Sequence, residues 1–122
     1  MLKKIAAVAL IAAAATTTVA TPAFASAGGC NDRSCIEVDG SGLRVNEIKA
    51  RTTAGDSFYG HFRIYGGGID VNSATQTWGF SGFTIRPQRD LPNGSVLCVE
   101  GWVKNDNGGH SLIGRPCVEV HF

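Results

Sequence analysis

The sequence lacks most of what would assign it a chemistry. It has no Gly-x-Ser-x-Gly elbow, no His-Glu-x-x-His pair and no phosphate-cradling glycine loop followed by lysine. No window of about 12 residues carries convincing helical periodicity. The longest apolar run, Ile5 to Ala15, has 11 residues, against roughly 18 for a membrane span. Charge is sparse, at 17% of residues, and nearly balanced at +1. With the first 25 residues set aside, 9 Lys+Arg face 10 Asp+Glu. No basic stretch is left to track a phosphate backbone or an anionic membrane surface, so neither nucleic acid nor membrane is an expected partner.

What is present falls into two unlike parts. Ten of the 14 alanines lie in the first 25 residues, and all 16 glycines come after position 27. Lys3 and Lys4, the run Ile5 to Ala15, a threonine stretch and the small-x-small site Ala23-Phe24-Ala25 follow the order of a secretory signal peptide over 1–25. A retained N-terminal anchor is the alternative. Cleavage after Ala25 leaves 97 of the 122 residues, and the protein is expected outside the cell.

Export in turn governs the four cysteines. An even count in an oxidising compartment reads as two disulfides, not as metal or redox chemistry. Asn107-Gly108 is a strong signal for a two-residue hairpin turn. A turn centred there opposes Cys98 to Cys117, Glu100 to Arg115 and Val99 to Pro116. It predicts a Cys98–Cys117 bridge on a hydrogen-bonded pair and leaves Cys30–Cys35 as a small local loop. No metal ligands remain at useful spacing, and no cofactor is expected.

The remainder reads as short strands. Phe58, Gly60, Phe62 and Ile64 alternate with Tyr59, His61, Arg63 and Tyr65. Leu43 and Val45 fall out of phase with Ile48 and Ala50, which predicts a bulge near Asn46-Glu47. Turn signals at Asp39–Gly42, Gly66-Gly67-Gly68, Pro92-Asn93-Gly94 and Asn107–Gly109 separate six or seven strands. That spacing predicts an antiparallel, immunoglobulin-like β-sandwich over 36–122, preceded by an N-terminal arm at 26–35. A small closed barrel is the alternative.

Several surfaces are candidates for function. His61, His110 and His121 could serve acid–base chemistry, and a ribonuclease-like trio of Glu100, Arg115 and His121 is conceivable. Each histidine has an ordinary place on a strand, turn or terminus, so no enzyme is expected. Tyr59, His61, Arg63 and Tyr65 could make an aromatic-polar stripe for a glycan, with Trp102 on the disulfide face as a further stacking platform, while Trp78 suits the core. The proline-framed loop Arg86–Pro92, with Arg86 and Arg89, could insert into a hydrolase as an inhibitor. Protein binding fits best: a bridge across four residues fixes the shape of Gly28, Gly29, Asn31, Asp32, Arg33 and Ser34 for docking.

In its Ala-Thr-rich signal, its disulfides and its compact sandwich the chain resembles small secreted proteins of streptomycete-type bacteria. Neocarzinostatin-type apoproteins and tendamistat-type inhibitors share that outline but differ in cysteine spacing. The layout is similar to the small adaptor subunit of umbrella toxin particles, with Gly28 to Cys35 as docking arm and Phe83 to Phe122 as disulfide-bridged sandwich core. The resemblance implies a non-enzymatic adaptor in a hetero-oligomeric complex of secreted proteins. It would link a lectin subunit to a large toxin directed at competing bacteria.

Overall fold

The computed structural model describes residues 27–121. The expected signal, Ser26 and Phe122 lie outside the described residues. Eleven strands follow one another: β1 (Ala27–Asn31), β2 (Ser34–Ser41), β3 (Arg44–Thr52), β4 (Phe58–Gly66), β5 (Ile69–Asn72), β6 (Gln76–Trp78), β7 (Phe83–Ile85), β8 (Arg89–Asp90), β9 (Ser95–Lys104), β10 (His110–Leu112) and β11 (Cys117–Val120). Among the described residues no helix is long and apolar enough to cross a membrane.

The strands form two antiparallel sheets. The first has the order β1-β2-β3-β7, with β8 also on β3; the second runs β10-β9-β4-β5, with β11 also on β9 and β6 also on β4. The chain crosses between sheets from β3 to β4, returns at β7 to pair with β3, and crosses again at β9 to pair with β4. That is the Greek-key order of an immunoglobulin-like sandwich. Each sheet has four strand positions, one more in total than the upper expectation of seven. Short collinear pieces (β5 with β6, β7 with β8, β10 with β11) share positions that continuous strands would otherwise fill.

Period-2 alternation explains the core. Phe58, Gly60, Phe62 and Ile64 turn inward on β4, and Leu97 and Val99 do so on β9; all are buried. They meet Ile36, Val45, Ile48 and Ala50 of the facing sheet. Phe58 packs edge-on to Phe62 at 5.1 Å. Trp78 lies at the margin of this core, half-buried between Phe62 and Phe83, its indole N–H donating to the Ala74 carbonyl at 3.0 Å. The bulge expected near Asn46-Glu47 is present: Asp39 opposes Glu47 while Gly40 opposes Val45, leaving Asn46 as the extra residue.

Both disulfides are formed, Cys30–Cys35 and Cys98–Cys117. The hairpin that carries the second differs from expectation in two compensating ways. Asn105 N–H donates to the Gly109 carbonyl at 2.7 Å, and Gly108 N–H donates to the Asn105 carbonyl at 3.0 Å. The connection is therefore the three-residue loop Asp106-Asn107-Gly108, with only Gly108 at positive φ, 90°. Its register sets Trp102 against Leu112, one residue away from the two-residue prediction. At Gly101 the offset is undone. Gly101 N–H donates to the Gly114 carbonyl at 3.2 Å and Ile113 N–H to the Gly101 carbonyl at 2.8 Å, so two residues oppose one. Beyond this bulge Cys98 opposes Cys117.

The Cα atoms of that cysteine pair lie 4.1 Å apart, the spacing of a non-hydrogen-bonded pair and not of the hydrogen-bonded one expected. Val99 and Pro116 occupy the hydrogen-bonded position instead, where Val99 N–H donates to the Pro116 carbonyl at 3.0 Å. The Gly66-Gly67-Gly68 turn, with φ of 122°, 58° and 88°, is a sterically specified corner. A Cβ on Gly66 would overlap the Val96 carbonyl.

Candidate functional site

The N-terminal segment is an edge strand of the first sheet, not a separate arm. Cys30 opposes Cys35 and Asn31 opposes Ser34, so Asp32-Arg33 closes a tight hairpin, with Asp32 at φ 54°. The expected boundary between 35 and 36 falls inside β2. Three bonds stitch this hairpin to the second sheet. Arg33 N–H and Ser34 Oγ both donate to the Ile113 carbonyl, at 3.1 and 2.9 Å, and Arg115 N–H donates to Asn31 Oδ1 at 2.9 Å. The Arg33 guanidinium holds Asp56 through two bonds, at 2.7 and 3.1 Å, which keeps the Asp56 carboxyl below its ordinary pKa. Of the residues expected to contact a partner, Gly28, Gly29 and Asp32 face solvent. Asn31 is exposed but already bonded, Arg33 is half-buried, and Ser34 is buried in the seam.

Strand β1 is exposed along its whole length. Ladder alternation sends the backbone groups of Gly29 and Asn31 inward to β2, leaving those of Gly28 and Cys30 directed at the open edge. The sequence Ala-Gly-Gly-Cys-Asn carries no proline and no charge, the usual guards of such an edge.

Around the corner lies the outer face of the second sheet. Cross-strand pairing sets Arg63 beside Glu100, His61 beside Trp102 and Tyr65 beside Cys98. Glu100 is 4% exposed, an unusual burial for a carboxylate. Three donors account for it: Arg115 Nε at 2.8 Å, Trp102 Nε1 at 3.1 Å and Arg63 Nη1 at 3.4 Å. Burial pushes the Glu100 carboxyl up, but the bonds from Trp102, Arg115 and Arg63 outweigh it, so the group sits below the ordinary glutamate range. Arg63 also grips both oxygens of Asp70 at 2.9 Å and lies over the Tyr65 ring at 4.2 Å. Its pKa is raised, first by the Asp70 bond.

His61 and His110 meet edge-to-face at 5.2 Å beside this cluster. Burial lowers the His61 pKa, the charge of His110 lowers it further, and Glu100 opposes both. The trio weighed for catalysis comes only partly together. Glu100 and Arg115 are bonded, while His121 lies six residues beyond Arg115, roughly 20 Å along an extended strand. A carboxylate held below its usual range by three donors is a poor proton acceptor. Among the described residues, no group of three or more His, Cys, Asp or Glu could hold a metal ion.

The remaining candidates are dispersed. Tyr59 is 53% exposed; Trp102 is half-buried with its N–H spent on Glu100. Arg86 pairs with Glu47 at 3.0 Å on the exposed surface of the other sheet. Arg89 lies on β8, backbone-paired to Val45. Sequence reasoning placed Arg63 on an outward stripe but missed its role as a second clamp on Glu100. It also missed the His61–His110 contact and the Asn31–Arg115 bond, since nothing local announces a neighbour 84 positions away.

Compared with family models, curated proteins and solved structures, the chain matches none. Its two disulfides are the cysteine usage of an oxidising, non-cytoplasmic compartment.

Proposed function

We propose that this protein is a secreted, non-enzymatic adaptor that docks another secreted protein along the open edge of β1. The observation that carries the reading is the edge itself, on which no strand pairs among the described residues. An unguarded, glycine-rich strand with outward backbone groups is a template for strand addition. The Cys30–Cys35 bridge and the seam to Ile113 and Arg115 hold that template rigid, which lowers the ordering cost of docking. The buried Glu100 cluster supports a structural role for the residues that an enzyme would need free. The most concrete version, taken from the resemblance in layout, is an adaptor in an antibacterial toxin particle, joining a lectin subunit to a large toxin protein.

The test is purification from native culture supernatant under mild conditions, with wild type compared to Gly29→Lys. A Cβ at Gly29 meets nothing within 4 Å, so the variant guards the edge without disturbing the fold. Larger secreted proteins should accompany the wild type and be lost from the variant at unchanged melting temperature. A lone wild-type monomer, or equal capture by both, overturns the reading. In the alternative glycan reading, Tyr59→Ala or Trp102→Ala removes binding to a glycan array. That surface is diminished by Arg63, which already covers the Tyr65 ring.

A further inference from the structure

The two long sides of the sandwich are not alike. On the β1 side the sheets are stitched together by the bonds to Ile113 and Asn31. On the opposite side the edge strands β5 and β7 stand apart, and a cleft of about 370 Å³ opens between them. Its lining includes Ile69, Val71, Ile85, Arg86, Pro87 and Arg89. Val71 pairs with the core residue Ile64 and so belongs to the inner face, yet it is 37% exposed. The facing sheet stops short there, and an inner-face apolar residue is left open to solvent.

Two further features give the cleft a chemistry. Ser73 N–H donates to the Phe62 carbonyl at 2.8 Å, which fixes the ladder phase and directs the backbone groups of Asp70 and Asn72 at the free edge of β5. The rim is cationic. The Asp70 carboxylate is consumed by Arg63, and Arg86 has only an exposed partner, Glu47. Arg89 makes no side-chain ion pair among the described residues. Between these arginines Gln88 takes a left-handed φ of 52°, a conformation that non-glycine residues adopt at a cost.

We infer that this cleft is a second docking site, which takes an extended peptide segment of a partner protein with an acidic residue two positions from apolar ones, so that all of them turn to the cleft. The segment lies along β5 as an added strand, its backbone paired with Asp70 and Asn72. Its apolar side chains cover Val71 and Ile85, and its carboxylate pairs with the Arg89 guanidinium. The assignment stands independently of the β1 edge and gives the molecule docking surfaces on opposite sides.

The probe is an acetylated, amidated pentapeptide, Val-Thr-Asp-Thr-Val, titrated into isotope-labelled protein and followed by amide NMR shifts. A second peptide carries lysine in place of aspartate. Saturable shifts should map to Ile69–Asn72, Ile85 and Arg89, weaken about tenfold or more in Arg89→Glu, and persist in Gly29→Lys. The lysine peptide should gain affinity for Arg89→Glu. The inference is overturned by the absence of saturable shifts, by equal binding of both peptides, or by equal shifts from free N-acetylaspartate at the same concentration. None of those outcomes touches capture at β1, which is read separately by co-purification.

Discussion

The Ser34 hydroxyl donates to the Ile113 carbonyl at 2.9 Å, a bond between residues 79 positions apart that ties the first sheet to the bulge in the second. The same carbonyl accepts the Arg33 amide, so removing the hydroxyl does not orphan it. Ser34→Ala should therefore cost only about 1 kcal/mol, the worth of one neutral hydrogen bond, as read by urea unfolding. A loss several times larger would mean that the seam fails as a unit.

Glu100 accepts hydrogen bonds from three side chains of the outer face. Glu100→Gln keeps the shape but removes the charge between Arg63 and Arg115, with an expected cost of about 2–4 kcal/mol. Its folded pKa lies below its unfolded value. Its contribution is thus present above the ordinary carboxylate range and is lost as pH falls through the folded value. Unfolding midpoints measured from neutral pH down to about pH 3 should show a shallower acid loss for the variant than for wild type.

His61 gives a second acid window, nearer neutrality. Because burial and His110 lower its folded pKa, the unfolded chain takes up this proton first as pH drops below about 6.5. Stability contributed by neutral His61 declines from there to the folded value. His61→Gln should abolish this step and His110→Ala should reduce it, measured as the difference in melting temperature between about pH 7.5 and 5.5.

Glycines divide into required and replaceable ones. Gly66→Ala demands φ of 122° and overlap with the Val96 carbonyl, so it should unfold the protein or cost upwards of about 3 kcal/mol. Gly29→Ala, with open space around its Cβ, should be nearly neutral. Thermal melts of the two variants provide the comparison.

The bridges should rank by loop length. Their separations are 19 residues for Cys98–Cys117 and 5 for Cys30–Cys35, which gives about 3 and about 2 kcal/mol respectively. Double alanine variants, unfolded in denaturant, check the order. Equal losses would point to effects in the folded state.

Much of this was legible along the chain. Alternation gave the inward and outward faces of β4, and the phase slip between Val45 and Ile48 located the bulge. The hairpin is more instructive. An Asn-Gly pair predicts a tight turn because glycine accepts positive φ, but Gly108 serves equally well as the left-handed residue of a three-residue loop. The Cys98–Cys117 pairing came out right because a bulge at Ile113-Gly114 restored the register that the loop had shifted. Gly114, at φ 128°, is a local mark of that bulge that went unread. The bonds of Ser34 Oγ to the Ile113 carbonyl and of Arg115 N–H to Asn31 Oδ1 hold it against the first sheet.

The sequence by itself determined the fold class and the strand faces, which depend on side-chain period, a local property. It named the right cysteine pairs, but the register that joins Cys98 to Cys117 was completed by the bulge at Ile113-Gly114. The tertiary structure alone decided what the surfaces are. Packing two sheets closed one side of the sandwich with bonds to Ile113 and Asn31 and left the other open at Val71. It drew Arg63 and Arg115 onto Glu100 and made the disulfide-looped N-terminal arm an edge strand of the first sheet. Those outcomes join residues far apart in the chain, and only the folded backbone sets their distances.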